Sequence, residues 1–143
     1  GLSRRVKKAD LLRTALESIA YQIKDLVTVM TEQKEFNLEE IRVDGGMTEN
    51  DFLMQFQSDI LGVPVVRSKM EEVSALGVAY MGGLKSGLWG GLKELNRLKE
   101  FDRRFEPNMD QKERIRRYTG WQDAVEKSLS DEIYSIKEKV LPN

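Results

Sequence analysis

The 143-residue chain contains no cysteine and no histidine. Their absence removes disulfides, thiol nucleophiles, Ser–His pairs and every thiolate or imidazole metal ligand. Any chemistry must therefore use carboxylates, lysine, tyrosine, hydroxyls and backbone amides. A dominant charge is lacking too. Twenty-three Lys and Arg against 24 Asp and Glu leave a net charge of −1, so no global positive field would hold a phosphate backbone, and nucleic acid is not an expected partner. No apolar run approaches the roughly 20 residues of a membrane-spanning helix, and the N-terminus has no long apolar stretch of the secretory type. With 40% hydrophobic and 33% charged residues, the composition is that of a globular domain, expected in the cytoplasm. The length suits one domain rather than a two-domain enzyme with a cleft between its halves. The chain opens at Gly1 rather than Met, as expected of a processed protein, a tag remnant or an excised fragment.

What is present is periodic. Leu12, Leu16, Ile19, Ile23, Leu26, Val27 and Met30 recur at steps of three and four, which predicts an amphipathic helix over about 9–33, with Asp10 as a cap or first-turn acid. Glu40 to Asp44 alternates and then meets Gly45-Gly46, the pattern of a strand ending in a tight turn. Phe52, Leu53, Phe56, Ile60 and Leu61 predict a helix over 49–61, capped by Thr48 and stopped by Gly62. Pro64 to Arg67 follows as a short strand, so strand, helix and strand form a βαβ unit of a mostly parallel sheet. A third helix is expected from near Val73 to Gly87. Its glycines, Gly77, Gly82, Gly83 and Gly87, imply close packing on another element. A loop with a short helix is expected over 88–98, an irregular stretch over 101–108, and two helices over 109–141. The first of these last two places Tyr118 and Trp121 in the core. There is no internal repeat and no low-complexity tract.

The sharpest local signal is Val43-Asp44-Gly45-Gly46-Met47-Thr48, set between a strand and a helix. Two glycines there let the backbone approach a ligand without an intervening Cβ and lead it to free amides at a helix N-terminus, an arrangement suited to a nucleotide. Glycines also occupy strand-to-helix turns for conformational reasons alone, and spacing does not separate the two readings. The segment is neither a Walker A loop nor the six-position dinucleotide fingerprint. Asp44 and Glu71-Glu72 define no carboxyl-to-carboxyl distance, so no general acid/base pair follows from them. The basic run Arg114, Arg116 and Arg117 lies beside Asp110 and Glu113, as in a charged helix face with i,i+4 pairs.

Several strings carry a resemblance. They are Ala15 to Gln22, Arg42-Val43-Asp44-Gly45-Gly46 with Asn50, Phe52 to Val65, Ala75 to Tyr80, and Phe105, Pro107, Arg114, Tyr118, Gly120, Trp121 and Ala124. Over about residues 1–129 the chain resembles the C-terminal, nucleotide-binding domain of the FGGY carbohydrate kinases, and within them the glycerol kinases. Residues 130–143 are then a charged helical tail. The resemblance implies an α/β fold, a ribonuclease H-like or actin-like ATPase domain with a mixed sheet and flanking helices. It implies ATP or ADP at the turn Gly45-Gly46 with Asn50, Gly46 and Asn50 being the contacting positions.

It also implies Mg²⁺ and glycerol in the full-length enzyme, the protein's own N-terminal domain as a partner, and homo-oligomers. No catalytic residue and no metal ligand is assigned in this chain, because the phosphate loops, glycerol pocket and aspartate of such kinases precede the matching region. The isolated chain is therefore expected to be catalytically silent. Where the family has Asn-Asn this chain has Asn50-Asp51, and Asp51 is expected to face away from the phosphates. Two other readings stay open: a different FGGY sugar kinase, and a non-catalytic interaction module presenting the helix over 9–33 as its apolar face.

Overall fold

In the computed structural model, residues 4–32, 38–69, 73–97 and 101–129 are described, and two compact units divide the chain at residue 108. The first unit opens on helix α1, Lys8–Glu32. The Asp10 carboxylate accepts a hydrogen bond from the Lys7 amide at 2.8 Å, closing the first turn as a capping-box acid does. Ala20 and Tyr21 are its buried residues. Leu11, Leu12, Leu26, Val29 and Met30 stay exposed on the same helix, which is thus apolar on more than the face it buries.

Strand β1, Ile41–Val43, is followed by a single 3₁₀ turn, Gly46–Glu49, and by helix α2, Asp51–Leu61. Gly62 takes a left-handed conformation (φ 78°) and its amide bonds the Ser58 carbonyl at 2.9 Å, which ends the helix and feeds strand β2, Val65–Ser68. β1 and β2 run parallel, with Ile41 opposite Val65 and Val43 opposite Arg67. The βαβ unit expected from the spacing is therefore present.

The sheet does not stop there. Phe101–Phe105, expected to be irregular, forms strand β3, antiparallel to β2, with Val65 opposite Phe105 and Arg67 opposite Arg103. Three adjacent charges, Asp102-Arg103-Arg104, hide the strand pattern. They are tolerated because Arg67 pairs with Asp102, Arg103 with Asp51 and Arg104 with Glu40. A bulge at Arg67/Ser68 shifts the register to Ser68 opposite Phe101, as an extra residue on one strand of an antiparallel pair does. The order β1-β2-β3 makes the sheet mixed, as the resemblance implied.

α2 bridges α1 and the sheet. Its Leu53, Met54, Phe56, Ile60 and Leu61 form the core with Val65 and Phe105, while Val66 is buried on the other face of the sheet. Tyr21 meets Phe56 edge to face at 5.5 Å between ring centroids. The fully buried Ser58 directs its Oγ to the Phe105 carbonyl (2.8 Å) and the Val63 carbonyl (3.0 Å), which satisfies its hydroxyl inside this core.

Helix α3, Val73–Ser86, reverses at Gly87 (φ 78°), and Trp89 folds back on it. A Cβ at Gly83 would lie 1.9 Å from the Trp89 ring, which also meets Tyr80 edge to face. Close packing thus explains Gly83, whereas a Cβ at Gly77 or Gly82 would meet nothing within 4 Å. The short helix α4, Leu92–Arg97, contributes Leu95 to the buried set.

In the second unit, helix α5, Gln111–Ser128, is capped by the Asp110 side chain, which accepts from the Lys112 amide at 2.9 Å. None of its residues is buried, so Tyr118 and Trp121 are half-buried rather than core. Charges over much of its circumference leave no continuous apolar stripe to enclose. The basic run does pair along the helix: Glu113 accepts from Arg116 and Arg117, each at 2.7 Å. These bonds, Arg116 first, lower the Glu113 pKa from 4.5 to about 2. A depressed folded-state pKa means that the pairing is fully present above about pH 4.5 and is lost as pH falls through about 2. A carboxyl NMR titration should find the Glu113 midpoint near 2. A midpoint at the ordinary value would show the pairs absent in solution. The expected tail at 130–143 lies outside the described residues, as does Glu71-Glu72.

Candidate functional site

The glycine turn leaves β1 through Asp44. Gly45 adopts φ 93°, ψ 165°, a region that only glycine occupies without strain. Its carbonyl then accepts both the Thr48 amide (2.9 Å) and the Thr48 hydroxyl (2.7 Å). This changes the capping expected from the spacing. Thr48 closes the 3₁₀ turn, and Asn50 is the cap of α2, its Oδ1 accepting from the Leu53 amide at 3.1 Å. The reason is the intervening turn: it moves the first free amides of α2 two residues beyond Thr48.

The turn has two consequences for a ligand. Asn50 spends its Oδ1 on the cap, which leaves its Nδ2 hydrogens unused among the described residues and orients that donor. The Gly46 amide has no acceptor among the described residues, and a Cβ built at Gly46 would meet nothing within 4 Å. Gly46 needs no positive φ either. Gly45 is therefore glycine because of its own backbone, whereas nothing within the described chain requires glycine at 46.

Beside the turn lies an open hollow of about 400 Å³, lined by Gly45, Thr48, Glu49, Asp51, Arg67, Lys69 and others. Its volume falls within the roughly 300–1,000 Å³ usual for small-molecule sites. Gly45 is in its wall, and Gly46 and Asn50 sit on the same turn. Asp51 does not turn away from this hollow but lines it, and two arginines offset its charge. Arg67 Nη1 reaches Asp51 Oδ1 at 3.0 Å, and Arg103 Nη1 pairs with Oδ2. Arg67 also holds Asp102, whose carboxylate, ahead of Asp51, raises the guanidinium pKa above its ordinary value. Arg67, Asp102 and Arg103 carry no motif that would single them out, and only the pairing of β2 with β3 brings them to the turn.

A second hollow, of about 390 Å³, includes Glu40, Arg42, Val66, Phe101 and Arg104. Val66, Arg42 and Arg104 share one register position, so this hollow lies on the sheet face opposite Val65. Its charges are paired within the hollow: Glu40, its pKa lowered by Arg104 and then Arg42, accepts from both. Among the described residues no group of three or more acidic side chains is placed to hold a metal ion, and two of the carboxylates at the first hollow, Asp51 and Asp102, are engaged by arginine. The residues described here thus do not fit Mg²⁺.

The model for the FGGY family of carbohydrate kinases, C-terminal domain, matches residues 1–86. The chain is 49% identical over 130 residues to a glycerol kinase of Shewanella amazonensis, covering 91% of this chain and 26% of that protein. It is also 49% identical over 129 residues to glycerol kinase 2 of Thermotoga maritima, with 90% and 26% covered. Among solved structures, Plasmodium falciparum glycerol kinase with ADP superposes with a TM-score of 0.83 at 34% identity, over 92% of this chain and 26% of that one. Gluconate kinase from Lactobacillus acidophilus gives 0.72 at 23% identity, over 90% and 27%; at that identity the likeness concerns the fold. The chain spans about a quarter of the length of the curated relatives it matches.

Proposed function

The chain belongs to the FGGY family of carbohydrate kinases, as their C-terminal domain, and from that premise we propose that it forms the ADP/ATP-binding wall of a kinase that phosphorylates glycerol. The observation that carries the nucleotide assignment is the Gly46 position: an amide and a Cβ site both without neighbours among the described residues, on one turn, with the Asn50 side-chain amide four residues on. Gly45 supplies the backbone reversal that exposes them. Together they can donate to nucleotide oxygens or read a base edge.

The choice of glycerol is supported by 49% identity to named glycerol kinases, against 23% to a gluconate kinase. In such an enzyme phosphoryl transfer is positioning plus electrostatics across a closed cleft. The catalytic aspartate, the glycerol pocket and any Mg²⁺ site then lie in the other three quarters of the protein. Residues 1–129 are taken as the domain proper, and 130–143 lie outside the described residues. The exposed apolar residues of α1, together with Val78 and Met81 of α3, are surface for the N-terminal domain or for a second copy, since faces this apolar are seldom left to water.

Two measurements test the reading. ADP added to this chain should shift the amide resonances of Gly46 and Asn50 at millimolar concentration, and a folded chain that shows no saturable response would remove the nucleotide site. A phosphorylation assay of the full-length protein with glycerol, xylulose and gluconate should show glycerol preferred, and a poor rate with glycerol would overturn the substrate.

A further inference from the structure

Arg67 lies at the bulge of β2, on no recognisable motif, yet its guanidinium joins three segments distant in sequence. Nη1 donates to the Thr48 carbonyl at 3.0 Å and to Asp51 Oδ1 at 3.0 Å, and Nε donates to Asp102 Oδ2 at 2.7 Å, with Nη2 on the same oxygen. The side chain is mostly covered, 17% exposed, and lies 5.7 Å from the Phe105 ring centroid. A guanidinium with its donors committed in a fixed fork is poorly placed to neutralise a phosphate and well placed to hold backbone. The carbonyl it holds belongs to Thr48, the residue that closes the turn on Gly45.

We infer that Arg67 is a positioning residue: it clamps the Gly45–Asn50 turn to β2 and β3, and so fixes where the Gly46 amide and the Asn50 side chain point. Asp51 and Asp102 orient the clamp, and Arg103 shares the charge of Asp51. Asp51 beside Asn50 is then part of the device rather than a charge set against the phosphates. The ligand consequence rests on the nucleotide reading above, but the clamp itself does not.

The test is amide hydrogen exchange and ADP titration of this chain, both followed by NMR. In Arg67→Gln the amides of Thr48 and Asn50 should exchange roughly tenfold faster, while those of Ile60 and Val65 keep their protection. ADP affinity should fall by a similar factor. Arg67→Lys should show the same losses, because an ammonium cannot span three acceptors. Full recovery with lysine would mean that charge alone suffices and would overturn the proposal, as would unchanged exchange at Thr48 and Asn50 in Arg67→Gln. Arg103→Gln leaves the Thr48 bond in place and should retain both protection and affinity; losses equal to those of Arg67→Gln would move the role to the charge cluster as a whole. Should Arg67→Gln fail to fold, Asp102→Asn, which frees the guanidinium from β3, should still raise exchange at Thr48 and Asn50 several-fold, and no change there counts against the clamp. No ADP response in the unsubstituted chain would sink the nucleotide reading and leave the exchange result to decide the clamp.

Discussion

Phe105→Ala should lower the free energy of unfolding by about 3–5 kcal/mol, whereas Phe101→Ala, four residues earlier on the same strand, should change it by no more than about 1 kcal/mol. Urea denaturation of the two variants beside the unsubstituted chain makes the measurement. Phe105 is 3% exposed and packs in the core beneath α2, and its carbonyl takes the buried Ser58 hydroxyl. Removing the ring opens a cavity and strips the apolar surface over which the Arg67 and Arg103 guanidiniums lie, at 5.7 and 4.8 Å from its centroid. Phe101 is 42% exposed, with the Arg42 guanidinium over its ring at 4.7 Å. A small domain has roughly 5–15 kcal/mol in total, so the first loss is a large share of its stability. Equal effects of the two substitutions would mean that β3 is not anchored through Phe105.

The two glycines of the turn should separate as sharply. Gly46→Val should leave the melting temperature nearly unchanged, since the position has an ordinary backbone and open space around it. It should weaken ADP binding by at least roughly tenfold, because the branched side chain fills the approach to the amide. Gly45→Ala should instead cost about 1–3 kcal/mol of stability, since φ 93° and ψ 165° strain any side chain, and any loss of binding would follow from a displaced turn. Calorimetric titration with ADP and a thermal melt on each variant separate the two. Undiminished binding by Gly46→Val would show that nucleotide does not approach there.

Much of the fold was legible because its elements repeat at short range. The three- and four-residue steps from Leu12 to Met30 predict α1 to within a residue at each end. The alternation before Gly45 and the helical spacing from Phe52 to Leu61 locate β1 and α2. Gly62, placed as a stop, is a left-handed cap. The cap of α2 was not legible. Thr48 and Asn50 are both good capping residues, and only the 3₁₀ turn between Gly46 and Glu49 assigns the hydroxyl to Gly45 and the carbonyl oxygen of the amide side chain to Leu53.

The feature read first in the chain, its lack of cysteine and histidine, already confined its chemistry to carboxylates, lysine, tyrosine, hydroxyls and backbone amides, and the glycine turn offered a candidate place. These conclusions depend on residue identity and near spacing alone. What belongs only to the tertiary structure is β3 and everything that hangs on it. Asp102, Arg103 and Arg104 read as part of an irregular stretch until β2 lies beside them. Asp51 reads as an unopposed charge until Arg67, 16 residues on, and Arg103, 52 residues on, close around it. Such contacts are made by chain reversal over tens of residues, which no local periodicity records. Of these contacts, those of Arg67 are the ones we propose to hold still the turn that the sequence marks.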